Sequence, residues 1–326
     1  MKVVNALGVE QWGLTAAAME QMTGETAQQV LTQGQNVSPQ VAGPNILLVD
    51  TPSAYGPGGA VTDIVVLSRT GTTLGNWAEP LGSNTEALIT SPDGTDWAWN
   101  VYSGMSAAGR EYGQVDVSGL GKPVRTLFHW EAPLGFTDTA PGWTTLGIIM
   151  VRIPSNTRCS AYTGTGTAAF VINPSTGALS GLLTGGEQLL NADARDTVGW
   201  LNSDEHAVVI NGVTYTESAS LVAGAFVYDL EPQLAISPDD DYVAVNRVSQ
   251  NDTCNGSTPV SSIELVDVPE HSHIDLPNLS ILGWWSDNEL VALTANQSIW
   301  LYTVQGKAVS EISANPNWGS CGVLTG

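Results

Sequence analysis

Positive charge is what this sequence has least of. It carries 10 Lys and Arg against 32 Asp and Glu, a formal net charge of −22. Nucleic-acid binding needs clustered Lys and Arg to release counterions from phosphates, and no such cluster occurs. Anionic membrane surfaces are disfavoured for the same reason. No apolar run reaches the roughly 18 residues that span a bilayer. Residues Met1–Glu10 contain one basic residue and no long apolar core, so they do not read as a signal peptide. Charged residues are only 13% of the chain, about half the usual share. Cysteine is scarce, at three. Cys159, Cys254 and Cys321 allow one internal disulfide of unassigned pairing and one free thiol. None forms a Cys-x-x-Cys pair of the kind that binds zinc.

What is abundant is β-structure and turns. Hydrophobic residues make up 42%, and there are 35 Gly and 17 Pro. Ser91-Pro92-Asp93-Gly94 stands between Ala87–Thr90 and Trp97–Tyr102, two runs suited to strands. Ser at the first position, Pro at the second and Gly at the fourth fit a type I turn, so the unit reads as a hairpin. Leu234–Ile236, Ser237-Pro238-Asp239-Asp240-Asp241 and Tyr242–Val245 repeat it. Looser copies stand at Val198–Glu205 and Leu282–Glu289, with degenerate ones at Leu134–Asp138 and Val37–Pro39. A repeat of about 50 residues is the range of four-stranded sheets stacked around an axis.

These turns resemble those of the TolB-like propeller repeats, distant relatives of the WD repeats, over Val37 to Pro316. Ser91–Gly94 matches their Ser-Pro-Asp-Gly turn fully, and Ser237–Asp239 matches without the glycine. The resemblance implies an all-β propeller with the turn between the first and second strands of each blade. Six blades fit best, and a seventh arises if the termini form one. Residues 1–35 form an N-terminal arm of a short strand and one or two short helices, and residues 36–326 the propeller. Blade boundaries are expected near 85–130, 133–190, 195–231, 233–277 and 280–314. Trp200 and Trp284, each after a glycine, are placed on inner strands, and Trp97 and Trp99 on a second strand.

No catalytic set is recognisable. Gly-x-Ser-x-Gly is missing, and no hydrolase-sized segment follows the repeats. The Gly loop Tyr55–Gly59 lacks the Lys of a P-loop. His271-Ser272-His273 offers two imidazoles where a metal needs three or four converging ligands. Asp239–Asp241 lacks the alternating ligands of a calcium loop. No cofactor, metal or catalytic residue is therefore assigned, and the chain reads as a non-enzymatic binding or assembly module. Its partner is a protein or a second copy, with neither nucleic acid nor membrane insertion. Composition and resemblance favour an extracytoplasmic location, with any leader absent from this numbering. Val3, Val4, Ala6, Leu7 and Val9 are candidates for an added strand, either closing the propeller within the same molecule or pairing with a neighbouring subunit to build a filament. Two alternatives are a carbohydrate-active hydrolase or lyase, which needs paired carboxylates in the central channel, and a periplasmic docking subunit like TolB.

Overall fold

The computed structural model describes residues 1–5, 7, 9–23, 37–42, 44–50, 62–79, 88–154, 168–184, 188–192, 198–201, 208–210, 213–215, 234–248, 261–270, 272–296 and 298–313. At the N terminus, β1 (Lys2–Val4) and β2 (Glu10–Gly13) form a two-stranded sheet followed by helix α1 (Ala16–Met22). Six four-stranded antiparallel sheets follow, each built from consecutive strands. The first holds β3 (Val37–Ala42), β4 (Asn45–Asp50), β5 (Thr62–Ser68) and β6 (Thr73–Glu79). The second holds β7 (Ile89–Thr90), β8 (Asp96–Met105), β9 (Glu111–Gly119) and β10 (Lys122–Glu131). The third comprises β11 (Phe136–Trp143), β12 (Ile148–Pro154), β13 (Ala168–Ile172) and β14 (Leu179–Thr184), and the fourth β15 (Gln188–Ala192), β16 (Val198–Leu201), β17 (Val208–Ile210) and β18 (Val213–Tyr215). The fifth contains β19 (Leu234–Ile236), β20 (Tyr242–Val248), β21 (Ser261–Asp267) and β22 (Ser272–Pro277). The sixth contains β23 (Leu279–Ser286), β24 (Glu289–Thr294), β25 (Ile299–Thr303) and β26 (Ala308–Ser313). The arrangement is a β-propeller.

Period-two alternation explains the packing. In a strand successive side chains point to opposite faces, and a sheet wedged between others needs both faces apolar. Leu47 and Val49 of β4, with Ile64 and Val66 of β5, pack against Leu88, just ahead of β7, and against Trp97 and Trp99 of β8. Their neighbours Ile46, Leu48, Val65 and Leu67 pack the other way. On β12, Ile148 and Met150 meet the second sheet, whereas Ile149 and Val151 join a separate cluster. Leu290 and Ala292 of β24 face the fifth sheet through Ile263, Leu265 and Leu276. Outer strands are different: Lys122–Thr126 of β10 is exposed throughout, as suits an edge that must stay polar. One glycine is required by close approach. A Cβ at Gly113 would lie 2.2 Å from the Val101 carbonyl oxygen and 2.4 Å from the Trp130 ring.

Several expected positions move. Gln188–Leu190, assigned above to the third repeat, belongs to β15, which opens the fourth sheet instead. Trp200 lies on β16, the second strand of its sheet, while Trp284 does lie on an inner strand, β23. Val37–Pro39 is within β3, and Phe136–Asp138 within β11, so neither is a turn. Asn202–Glu205 falls between the second and third strands of the fourth sheet, outside the described residues. Tyr55–Gly59, His271 and the second arm helix near 27–31 also lie outside them.

Candidate functional site

The N-terminal segment folds as a small module. Thr15 caps α1, its Oγ1 accepting from the Ala18 amide at 3.1 Å, and Ala-rich sequence favours the helix behind it. The run Val3–Val9 is not one strand. β1 ends at Val4, and the Asn5 side chain then organises a turn, accepting from the amides of Leu7 and Val9 at 3.0 Å each. Leu7 and Val9 are exposed there, Ala6 lies outside the described residues, and Val3 packs inward. The Met1 ammonium donates to the Leu14 carbonyl at 2.8 Å, and the Leu14 amide donates to the Met1 carbonyl at 3.0 Å. These bonds close the hairpin against the helix.

The module sits on the first sheet. Met1, Val3, Trp12, Leu14, Met19 and Met22 gather over Ile46, Leu48, Val65 and Leu67. The Trp12 indole N–H donates to the Arg69 carbonyl at 2.7 Å, and its ring covers Gly71, where a Cβ would stand 3.1 Å away. Thus the face that a preceding sheet would occupy is covered by residues 1–22. Glu20 of α1 is buried at 1% exposure, and among the described residues its Oε2 accepts no hydrogen bond. From the sequence Trp12 reads as a tryptophan that could stack sugars or anchor a partner, and Leu14, Met19 and Met22 carry no packing assignment; here all four pack on the first sheet. The i, i+3 spacing of Met19 and Met22 was the available signal, since such residues share a helix face.

The Ser-Pro-Asp turns are built alike. Ser91 Oγ donates to Asp93 Oδ1 at 2.6 Å and accepts from the Asp96 amide at 2.9 Å. Ser237 Oγ donates to Asp239 Oδ1 at 2.6 Å and accepts from the Tyr242 amide at 2.9 Å. Both serines are buried. Each turn also joins the hairpin behind it, through Leu120 N–H to Thr95 O at 2.9 Å and Val268 N–H to Asp241 O at 2.8 Å. The fourth position is left-handed in both, with φ 64° at Gly94 and φ 66° at Asp240. Asp240→Gly is therefore expected to raise unfolding free energy by roughly 1 kcal/mol, the cost of a left-handed non-glycine residue, measured by urea denaturation.

Titration gives a second check on the same motif. Partial burial pushes the Asp93 carboxyl up, but donation from Ser91, the Thr95 amide and the Thr95 hydroxyl, with Lys122 nearby, holds it below its usual value. A depressed folded value stabilises the protein above the ordinary Asp range and stops doing so as pH falls through it. The stability difference between the native chain and Asp93→Asn should thus shrink below about pH 4, read from melting temperatures across pH.

Chemistry along the axis is sparse. The described inner strands β3, β7, β11, β15, β19 and β23 carry one carboxylate, Asp138. It is buried and held bidentately by Arg152, Nε to Oδ1 at 2.7 Å and Nη2 to Oδ2 at 2.8 Å. Arg152 in turn lies 5.2 Å from the Phe170 ring centre. Asn100 donates to the Asp138 carbonyl at 2.8 Å and accepts from the Trp130 indole at 2.7 Å. These bonds tie the second sheet to the third. His273 Nδ1 lies 3.9 Å from Glu264 Oε1, on the outer half of the fifth sheet. Among the described residues no three His, Cys, Asp or Glu side chains gather to hold a metal. Cys159, Cys254 and Cys321 all lie outside the described residues.

No protein-family model and no curated protein matches the sequence. Solved structures are similar in fold. A prolyl endopeptidase is 11% identical over 88% of this chain and 44% of its own, with TM-score 0.55. Prolyl oligopeptidase B from Galerina marginata is 8% identical over 87% of this chain and 43% of its own, with TM-score 0.54. The β-propeller domain of the Trilobed protease from Pyrococcus furiosus, described as having an open velcro topology, is 10% identical over 84% and 82%, with TM-score 0.48. This chain spans less than half the length of the first two. At such identities the likeness is one of fold, the β-propeller.

Proposed function

We propose that this chain is a non-enzymatic, extracytoplasmic β-propeller that works as a binding or assembly module through its N-terminal module. One observation carries this: β1 and β2 form a sheet of two that joins none of the six others. Among the described residues β1 is paired on one side, by β2, and a strand open on its other side is a template for strand addition by another chain. A second copy is the simplest such chain, and a head-to-tail contact that does not close builds a filament. Within the β-propeller, the Ser-Pro-Asp turns support a TolB-like origin for the repeat.

The peptidase activities in the neighbours' names do not transfer, because this chain covers less than half of those proteins and fold does not carry function. Nor does a glycosidase site find support. Paired carboxylates are its requirement, and Asp138, the carboxylate of the described inner strands, is occupied by Arg152.

Light scattering on the full chain across concentration tests assembly, alongside Val3→Pro and Val4→Pro. Successive strand amides point to opposite sides, so one of these prolines removes an outward-facing donor. Oligomers that collapse to monomer in one of the two variants are expected. A full chain that stays monomeric throughout would remove self-assembly, and oligomers indifferent to both prolines would move it to another surface.

A further inference from the structure

The chain has five Asn-x-Ser/Thr tripeptides, at Asn36, Asn251, Asn255, Asn278 and Asn296, the pattern that accepts N-linked glycans. In a four-stranded antiparallel sheet, the start of the first strand, the second-to-third connection and the exit of the fourth all lie at one end. The first-to-second and third-to-fourth turns lie at the other. Asn278 and Asn296 fall at the first end, and Asn36, Asn251 and Asn255, outside the described residues, belong by chain order to connections that start or end there. Asn36 immediately precedes β3, Asn251 and Asn255 stand between β20 and β21, Asn278 joins β22 to β23, and Asn296 is in the turn from β24 to β25. The opposite end has one Asn-x-Ser, Asn173-Pro174-Ser175, between β13 and β14, and its proline disqualifies it.

We propose that the chain is N-glycosylated at this long-loop end of the propeller, at Asn278 and Asn296. Both asparagines are exposed. Leu279 pairs with Thr294, which sets the residue before β23 beside the turn after β24, so the two sites share one corner of the sixth sheet. Asn278 has φ 60°, a left-handed position at the very end of a strand, where its side chain projects from a corner. The Asn296 turn is held by Thr294 Oγ1, which accepts from the Ser298 amide at 3.1 Å. Ser280 is buried in the folded sheet, so transfer to Asn278 precedes folding of this sheet, and the native state has only to leave the asparagine outside.

The donor is an oligosaccharide on a polyprenyl phosphate or diphosphate. Asn Nδ2 displaces the lipid phosphate from the anomeric carbon. One C–N bond forms, one C–O bond breaks, and the amide proton leaves with the lipid product. Because such transfer occurs outside the cytoplasm, this inference rests on the extracytoplasmic reading above.

Peptide mass spectrometry of the full chain, purified from the cells that make it and fractionated by compartment, is the test. The peptides holding Asn278 and Asn296 should each show a saccharide mass shift, lost individually in Asn278→Asp and Asn296→Asp. Aspartate tolerates the left-handed backbone at 278, so the loss reports the modification rather than misfolding. Both peptides at unmodified mass in chain recovered outside the cytoplasm would overturn glycosylation and leave the location standing. Chain confined to the cytoplasm would overturn both.

Discussion

Arg152→Met should lower the unfolding free energy by about 2–4 kcal/mol, somewhat less than removing one partner of a fully buried ion pair costs, because Asp138 is buried while Arg152 is partly exposed. The reason is geometric. Asp138 stays buried on the inner strand of the third sheet, and both its oxygens now rely on Arg152. Methionine supplies volume beside Phe170 but no donor, so a carboxylate would be left desolvated and unpaired. Asp138→Asn combined with Arg152→Met should recover much of that loss, because the stranded charge is gone. Urea titrations of the single and double variants provide the measurement. A single variant within about 1 kcal/mol of the native chain would mean that the pair behaves like an exposed one.

Trp97→Ala is expected to cost about 3–5 kcal/mol, as truncation of a large buried aromatic does. Trp97 has no solvent exposure, stands in the interface between the first and second sheets, and meets Trp77 edge-on with centroids 5.0 Å apart. Alanine would open a void between two sheets whose backbones are fixed by their own ladders and cannot collapse into it. Trp97→Phe separates packing from polarity. Among the described residues the Trp97 indole N–H has no hydrogen-bond partner, so phenylalanine deletes an unsatisfied donor while keeping an aromatic ring in place. Its cost should be less than half that of alanine. Equal losses for the two would show that the indole N–H finds a partner after all.

Some features were legible in advance because they are local. Ser91–Gly94 and Ser237–Asp241 encode their turns in the residues themselves: a hydroxyl that reaches back to the strand, a proline with preset φ, and a carboxylate that receives the hydroxyl. The looser copies were harder. Leu134–Asp138 and Val37–Pro39 share the composition but lack the Ser–Asp hydrogen-bond pair; Val37–Pro39 lies within β3, and Leu134–Gly135 turns from β10 into β11, which takes up Phe136–Asp138. The true corner of the third sheet is Thr144–Gly147, where the Thr144 amide donates to Gly147 O at 2.9 Å. Trp200 misled for a similar reason. A glycine before a tryptophan marks no particular strand, and only the ladder of β16 between β15 and β17 locates it.

By itself, then, the chain of residues determined the all-β class, the repeating hairpins and both-faces-apolar runs such as Ile46–Val49, since each depends on neighbours within a few positions. Tertiary structure alone decided that residues 1–22 cover the first sheet, that Arg152 takes Asp138, and that Asn278 stands beside Asn296. Those pairings join residues far apart in sequence or set by sheet register, and no short-range signal specifies which distant partner a side chain will meet.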